Sequence, residues 1–304
     1  MAPRRSENMH AAALAIGTIR PTRPRRSRPG LTVRVSAGYR PPMDPHPLVA
    51  STVTGVGRRT VACGVAAAVF LLACGRPPAL ARAYLGGGNA VVYFQPTSER
   101  VIALTFDDGP DRVSTPALLS VLARHRVRAT FFLIGSRVAG NEDVVEEIVS
   151  AGHELGNHMM YDEPSHRLSP EVFRAQISQT DAILRAFVPV VRWFRPGSGR
   201  FESWMFGAIC DHGYRGVLGD VYPFDAQLPW KNLAYRFIRA RVRPGSIVIL
   251  HEGPRRGGRT ALLLERLIPA LVASGYQFVP LSQLVERSGD DRCDASPHDR
   301  DRPR

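Results

Sequence analysis

The sequence predicts an α/β protein built on a parallel sheet or a β/α barrel, and three observations carry that expectation. Short apolar runs rich in β-branched and aromatic residues alternate with amphipathic stretches from Val91 to Pro280. No Asn-Gly or Asp-Gly hairpin turn separates neighbouring strand-like runs, which leaves helices as the connections. Polar residues capable of chemistry fall where strand-like runs stop: Asp107 and Asp108, His158, Arg195, Asp225 and His251. In parallel α/β folds, chemistry collects at the C-terminal ends of the strands.

Taken in order, Val91–Phe94 reads as a short strand. Val101–Phe106 is a buried strand ending at two carboxylates and Gly109-Pro110. Neighbouring side chains in a strand point to opposite faces, so Asp107 and Asp108 share a site only if the backbone bends there. Pro116–His125 has Leu118, Leu119 and Leu122 at helical spacing, and Ala129–Ile134 is a strand. Asn141–Ala151 is a helix capped by Asn141, with Gly152 past its end. His153–His158 is a short strand. A helix follows from Ser169, its cap, with Pro170 at the first position, to about Phe187. Val190–Phe194 is a strand, Glu202–His212 a helix and Tyr214–Leu218 a strand. Trp230–Val242 is an Arg-rich amphipathic helix. Ser246–Leu250 is a strand closed by His251, Leu262–Ser274 a helix and Gln277–Pro280 a last strand.

The formal net charge of +13 is concentrated at the N-terminus. Residues 1–83 hold 13 Arg against Glu7 and Asp44, a net +11, which leaves +2 for the rest of the chain. The body therefore gives no support to a nucleic-acid partner. The acid-poor start resembles a plastid transit peptide, with Val33–Gly38 similar to a processing site. Arg58-Arg59, the apolar run Val61–Cys74 and Ala81-Arg82-Ala83 then follow the order of a twin-arginine or secretory signal. These predict residues 1–83 as a targeting leader, 84–287 as a catalytic domain and 288–304 as a disordered polar tail. The expected location is a plastid, in the thylakoid lumen. The alternatives are secretion, with a bacterial signal peptide behind a misassigned start codon, or attachment to a membrane through an uncleaved signal anchor; Leu71–Cys74 is also loosely similar to a lipobox. Cys63, Cys74, Cys210 and Cys293 form no CxxC pair, so no disulfide framework or thiolate zinc site is expected, and Cys210 reads as a small core residue.

His153, His158, Asp162 and His166 crowd one segment, and His158 and Asp162 stand four apart. One imidazole and two carboxylates, with Asp108 as the second, make a set of three oxygen and nitrogen donors suited to a divalent cation. The plain alternative for such a loop is a solvated, hydrogen-bonded surface.

Thr105–Pro110 (TFDDGP), Gly156-Asn-His158, Phe194–Gly199 (FRPGSG) and Ile249-Leu-His251 resemble, in order, the motifs of the NodB-homology polysaccharide deacetylase family. The resemblance spans roughly residues 98–285. It implies a distorted (β/α) barrel of about seven parallel strands. It also implies hydrolysis of N- or O-acetyl groups of a sugar or polysaccharide through a metal-activated water. The cofactor would be one divalent metal, zinc by preference, with cobalt or manganese as alternatives. Carried across, Asp107 resembles the catalytic base, with Arg195 holding it ionised. Asp108 and His158 resemble metal ligands. His251 resembles the general acid, with Asp225 orienting it, and Leu250 a wall of the acetyl pocket. Backbone N–H groups near Tyr161 or Gly199 are the candidates for oxyanion stabilisation.

Two positions depart from the pattern. The second metal histidine is Asp162 here, which makes Asp108, His158 and Asp162 the expected ligand set, with His166 in reserve. Ser198 and Ala226 stand where the family carries aromatic residues. Trp193, Trp204 and Tyr222 are expected to pack in the core rather than face sugar. The competing functions are a C–N amide hydrolase on a non-sugar substrate and an inactive carbohydrate-binding homologue.

Overall fold

The computed structural model describes residues 91–254 and 256–286. The targeting leader, the polar tail, Cys63, Cys74 and Cys293 lie outside the described residues. The elements are β1 (Val91–Val92), β2 (Val101–Gly109), α1 (Ser114–Arg124), β3 (Thr130–Leu133), α2 (Glu142–Ser150), β4 (Glu154–Asn157) and α3 (Pro170–Leu184). They continue with β5 (Trp193–Phe194), α4 (Met205–Asp211), β6 (Arg215–Val217), α5 (Lys231–Arg241), β7 (Ile247–His251), α6 (Gly257–Ala273), β8 (Gln277–Phe278) and α7 (Leu281–Glu286). Among the described residues no helix is long and apolar enough to cross a membrane.

Seven strands run parallel in the order β1-β6-β5-β4-β3-β2-β7, and β8 pairs in parallel with the start of β2. The two ends of this sheet are joined only by single bridges. Val221, just past β6, bridges Val248 of β7, and Phe94, just past β1, bridges Ser246. The expected distorted barrel is therefore present, closed by isolated contacts in place of a full ladder.

Central β2 is buried along all nine residues, as a strand covered on both faces must be. The alternation of side chains sorts its residues. Val101 and Ala103 point inward with Val92, Phe132, Trp193, Val217 and Ile247 to fill the barrel floor. Leu104 and Phe106 point outward to the helix layer, in the larger core cluster. The same parity carries Thr105 and Asp107 inward above the floor. α7 seals the bottom with Leu281, Leu284 and Val285. It is tied there by Thr130, whose hydroxyl accepts from Leu281 N at 3.0 Å, and by Glu154, which accepts from Ser282 N at 3.2 Å and Trp193 Nε1 at 3.0 Å. α7, only six residues long, has no periodic pattern that would mark it in the sequence.

Several bounds differ from expectation for local reasons. α1 starts earlier because Asp111 Oδ1 accepts from the N–H groups of Val113 (3.2 Å) and Ser114 (2.7 Å). Ser169 caps α3 as expected, its hydroxyl accepting from Val172 N at 3.3 Å. Asn141 precedes α2 but does not cap it, since its amide donates back to Arg137 O at 2.7 Å. α6 begins at Gly257 rather than Leu262, because Gly257 lets the helix start against Ser114 of α1. Cys210 is half-buried and disulfide-bonded, not an inert core thiol.

Gly245 stands where β1 and β7 are tied: its N–H donates to Val101 O (2.8 Å) and its carbonyl accepts from Gln95 N (3.0 Å), at φ +87°. A β-carbon there would strike the Gln95 carbonyl. Gly245→Ala is expected to destabilise the fold by about 2 kcal/mol or more, read as a lower urea midpoint. An unchanged midpoint would show that this tie does not hold the barrel closed.

Candidate functional site

Above the apolar floor the barrel interior turns polar within one layer. Arg195 follows β5 and is 1% exposed. Its Nη1 donates to Asp107 Oδ1 (2.5 Å) and Thr105 Oγ1 (2.9 Å), its Nη2 to Leu218 O (3.1 Å) and its Nε to Val217 O (3.3 Å). The guanidinium also lies 4.0 Å from the Phe132 ring centroid. Burial lowers the guanidinium's pKa, and the Asp107 carboxylate acts against that. A planar, five-donor cation suits this fork of acceptors where an ammonium would not.

Asp107 and His251 are register partners on adjoining strands β2 and β7, so both point into the mouth. Asp225 holds His251 twice. Oδ1 lies 3.0 Å from His251 Nδ1, and Oδ2 accepts from His251 N at 2.8 Å. Burial lowers the imidazole pKa, but the hydrogen bond and charge of Asp225, with Asp107 and Asp108 beyond, outweigh it and raise the net value. The second ring nitrogen is left for the cleft.

Asp108 would point outward if β2 continued regularly. Its φ of +74° and a register shift between Asp107 and Gly109 turn it back toward the same mouth. Its Oδ1 lies 3.5 Å from His158 Nε2 and its Oδ2 accepts from Arg256 Nη1 at 2.6 Å. Burial raises its carboxyl, but the hydrogen bond and charge of His158, with His251 and Arg256, bring it down to about 2. His158 Nδ1 lies 2.7 Å from the Arg195 carbonyl, which only accepts, so Nδ1 carries a proton and Nε2 is turned toward Asp108.

An imidazole lone pair and a carboxylate face each other stably only with a proton or cation between them. Asp108 and His158 thus fit a divalent cation as two donors. Asp162 does not complete the expected set. Its carboxylate is exposed and bonded to Arg137 Nη2 at 2.7 Å, and among the described residues no group of three donors forms. Its spacing from His158 places it in the cleft wall, but residues 160–163 run as bends rather than a helical turn. His166 is engaged elsewhere, its Nδ1 3.2 Å from Ser198 Oγ. His153 sits in the core against Phe131. Burial and Arg128 lower its pKa to about 4, and its Nδ1 accepts from Ala129 N.

Asp107, Asp108, His158, Asp162, Arg195, His251 and Arg256 line a cavity of about 450 Å³. Leu250 is not part of its wall. Strand alternation turns it into the core, and Ile249 and Leu218 supply the apolar lining. Gly199 lines the cleft, but its N–H is committed to Pro196 O at 3.0 Å, and the exposed Tyr161 is not among the lining residues. Trp193 and Trp204 pack internally, as expected. Tyr222 does not only pack: it lines the cleft with its ring 5.7 Å from His251.

The sequence reading also missed Arg256, Arg137 and Glu252. A basic, glycine-rich stretch after β7 was the one available signal for Arg256. Glu252 is buried beneath Gly109, accepts from Thr115 and has its carboxyl pushed up to about 8 by burial. Of the five described non-glycine residues with positive φ, Asp108 and Ser198 (+65°) line the cleft, while Met159 (+71°) and Phe224 (+59°) adjoin His158 and Asp225 in the chain.

Fold and motifs meet in the comparisons with known proteins. The polysaccharide deacetylase family profile matches residues 94–217. A peptidoglycan-N-acetylglucosamine deacetylase of Bacillus cereus is 33% identical over 197 residues, covering 64% of this chain and 92% of the relative. A crystal structure of a peptidoglycan N-acetylglucosamine deacetylase aligns at 27% identity with a TM-score of 0.62, over 70% of this chain and 98% of the other. A family 4 acetyl xylan esterase from Clostridium thermocellum, solved in complex with a cobalt ion, aligns at 30% identity and a TM-score of 0.60, over 65% and 95%. The chain belongs to the polysaccharide deacetylase family.

Removing Arg195 would leave Asp107 buried and unpaired. Arg195→Met is expected to lower unfolding free energy by about 3–5 kcal/mol, and Asp107→Asn combined with Arg195→Met to cost less than the two single changes added. Denaturant titration of the four proteins reads this directly, and strict additivity would contradict the pairing.

Proposed function

We propose that this chain hydrolyses the acetyl group of an N-acetylated sugar within a glycan, releasing acetate and a free amine, with O-acetyl groups as secondary substrates. The observation that carries the reading is the pairing of Asp107 and His251 on adjoining strands, one fixed by Arg195 and the other by Asp225. Similarity to peptidoglycan N-acetylglucosamine deacetylases supports the same chemistry.

Asp107, paired with the Arg195 guanidinium, accepts a proton from the attacking water. His251, kept protonated by Asp225, donates one to the departing nitrogen, so the C–N bond breaks as the amine leaves neutral. Leu218 and Ile249 receive the acetyl methyl group. Asp108 and His158 hold a divalent cation, zinc by preference, which supplies Lewis-acid polarisation and acidifies water. Asp162 joins them only by leaving Arg137. That pairing is also the observation that favours a second reading, a glycan-binding homologue without turnover.

Asp107→Asn and His251→Ala are each expected to cut acetate release by about a hundredfold or more, and full turnover in either variant would discard the assignment. Because the His251 pKa is raised above its ordinary value, its proton is lost at higher pH than from an unperturbed imidazole, and activity is expected to fall as that proton is lost. Asp225→Asn should move this limb to lower pH, and an unmoved limb would separate Asp225 from the acid.

The metal assignment is read by stoichiometry. Asp108→Ala and His158→Ala are expected to lose bound zinc, while Asp162→Ala keeps it with weakened affinity. No metal in the unaltered protein would favour the binding homologue.

A further inference from the structure

The main cleft carries a single aromatic residue other than histidine, Tyr222. Neutral sugars are commonly gripped by aromatic faces, and here Ser198 and Ala226 line the wall as small side chains. Beside Arg256, which borders both spaces, lies a second, small recess of about 20 Å³ between α5 and α6. That recess is lined by Lys231 and Arg259. Among the described residues neither of these side chains has an ion-pair or hydrogen-bond partner. The recess contains one acid, Asp225, and both of its oxygens are already bonded to His251. On the opposite wall the acids are spoken for, Asp162 by Arg137 and Glu163 by Gln176. Trp230, 62% exposed, stands immediately before Lys231 at the start of α5.

We infer that the recess is a subsite for a carboxylated sugar, with Lys231 and Arg259 receiving the carboxylate of the residue adjoining the acetylated one. This inference rests on the deacetylase reading for its register along the glycan. The carboxylate comes either from a uronic acid or from a lactyl ether on the sugar, and both present the same charge to the recess. Two cations without partners raise the local concentration of such a chain and fix its direction past His251.

Calorimetry on the full-length, zinc-loaded protein tests it with three tetrasaccharides: N-acetylglucosamine alone, N-acetylglucosamine alternating with glucuronate, and N-acetylglucosamine alternating with N-acetylmuramate. At low salt at least one charged ligand is expected to bind about tenfold more tightly than the neutral one, the advantage shrinking as sodium chloride is raised. Lys231→Ala combined with Arg259→Ala should erase that advantage and leave neutral binding unchanged. A preference for one charged ligand alone identifies the source of the carboxylate. Equal dissociation constants for all three, or an advantage that survives the double substitution, overturns the inference. Acetate release from the same ligands is read in parallel. Charge-selective binding with no acetate from any ligand retires the deacetylase reading and leaves the subsite standing. Acetate from every ligand without charge selectivity does the reverse.

Discussion

The Arg195 guanidinium is the interaction on which the rest of this molecule depends. It reaches Thr105 and Asp107 of β2, the carbonyls at and just past the end of β6, and the ring of Phe132 on β3. Its own carbonyl fixes His158 beyond β4. A single buried cation thus ties together strands that the sheet itself joins by only two register pairs at β5. Desolvating such a group is costly, and only a full set of acceptors offsets the cost. The contacts that pair the Asp107 carboxylate are the same ones that hold the barrel mouth in shape.

The second constraint is the break in β2. Regular alternation would send Asp107 into the barrel and Asp108 out to the helices. The left-handed backbone at Asp108 cancels that alternation for one residue. Two adjacent carboxylates then meet different partners: Asp107 an always-charged guanidinium, Asp108 an imidazole and Arg256. Adjacency in sequence becomes a division of labour because the partners differ, not because the acids do.

Much of this was legible in the residues. The strand–helix alternation pointed to a parallel sheet or a β/α barrel, the family resemblance chose the barrel, and the TFDDGP string with His158, Arg195, Asp225 and His251 marked the mouth. What escaped depends on contacts that no local pattern encodes. α7 is short and is held by Glu154 and Thr130 from distant strands. Leu250 sits beside His251 in sequence, yet strand parity puts Ile249 in the wall instead. Asp162 has the spacing of a ligand but finds Arg137 across the cleft, a partner 25 residues away. Gly199 lies where a free N–H was expected, but the turn it belongs to uses that group.

The left-handed residues around the cleft carry one more consequence. Met159 is fully buried, and Phe224 is wedged between Tyr222 and Phe237, so their surroundings enforce a backbone that neither side chain prefers. Selection for heat resistance alone would drift these positions toward glycine or asparagine. Doing so would relax the segments that aim His158 and Asp225. Laboratory evolution of this protein should therefore find durability and turnover pulling apart at these few positions first, while the barrel floor tolerates stabilising change at no expense to catalysis.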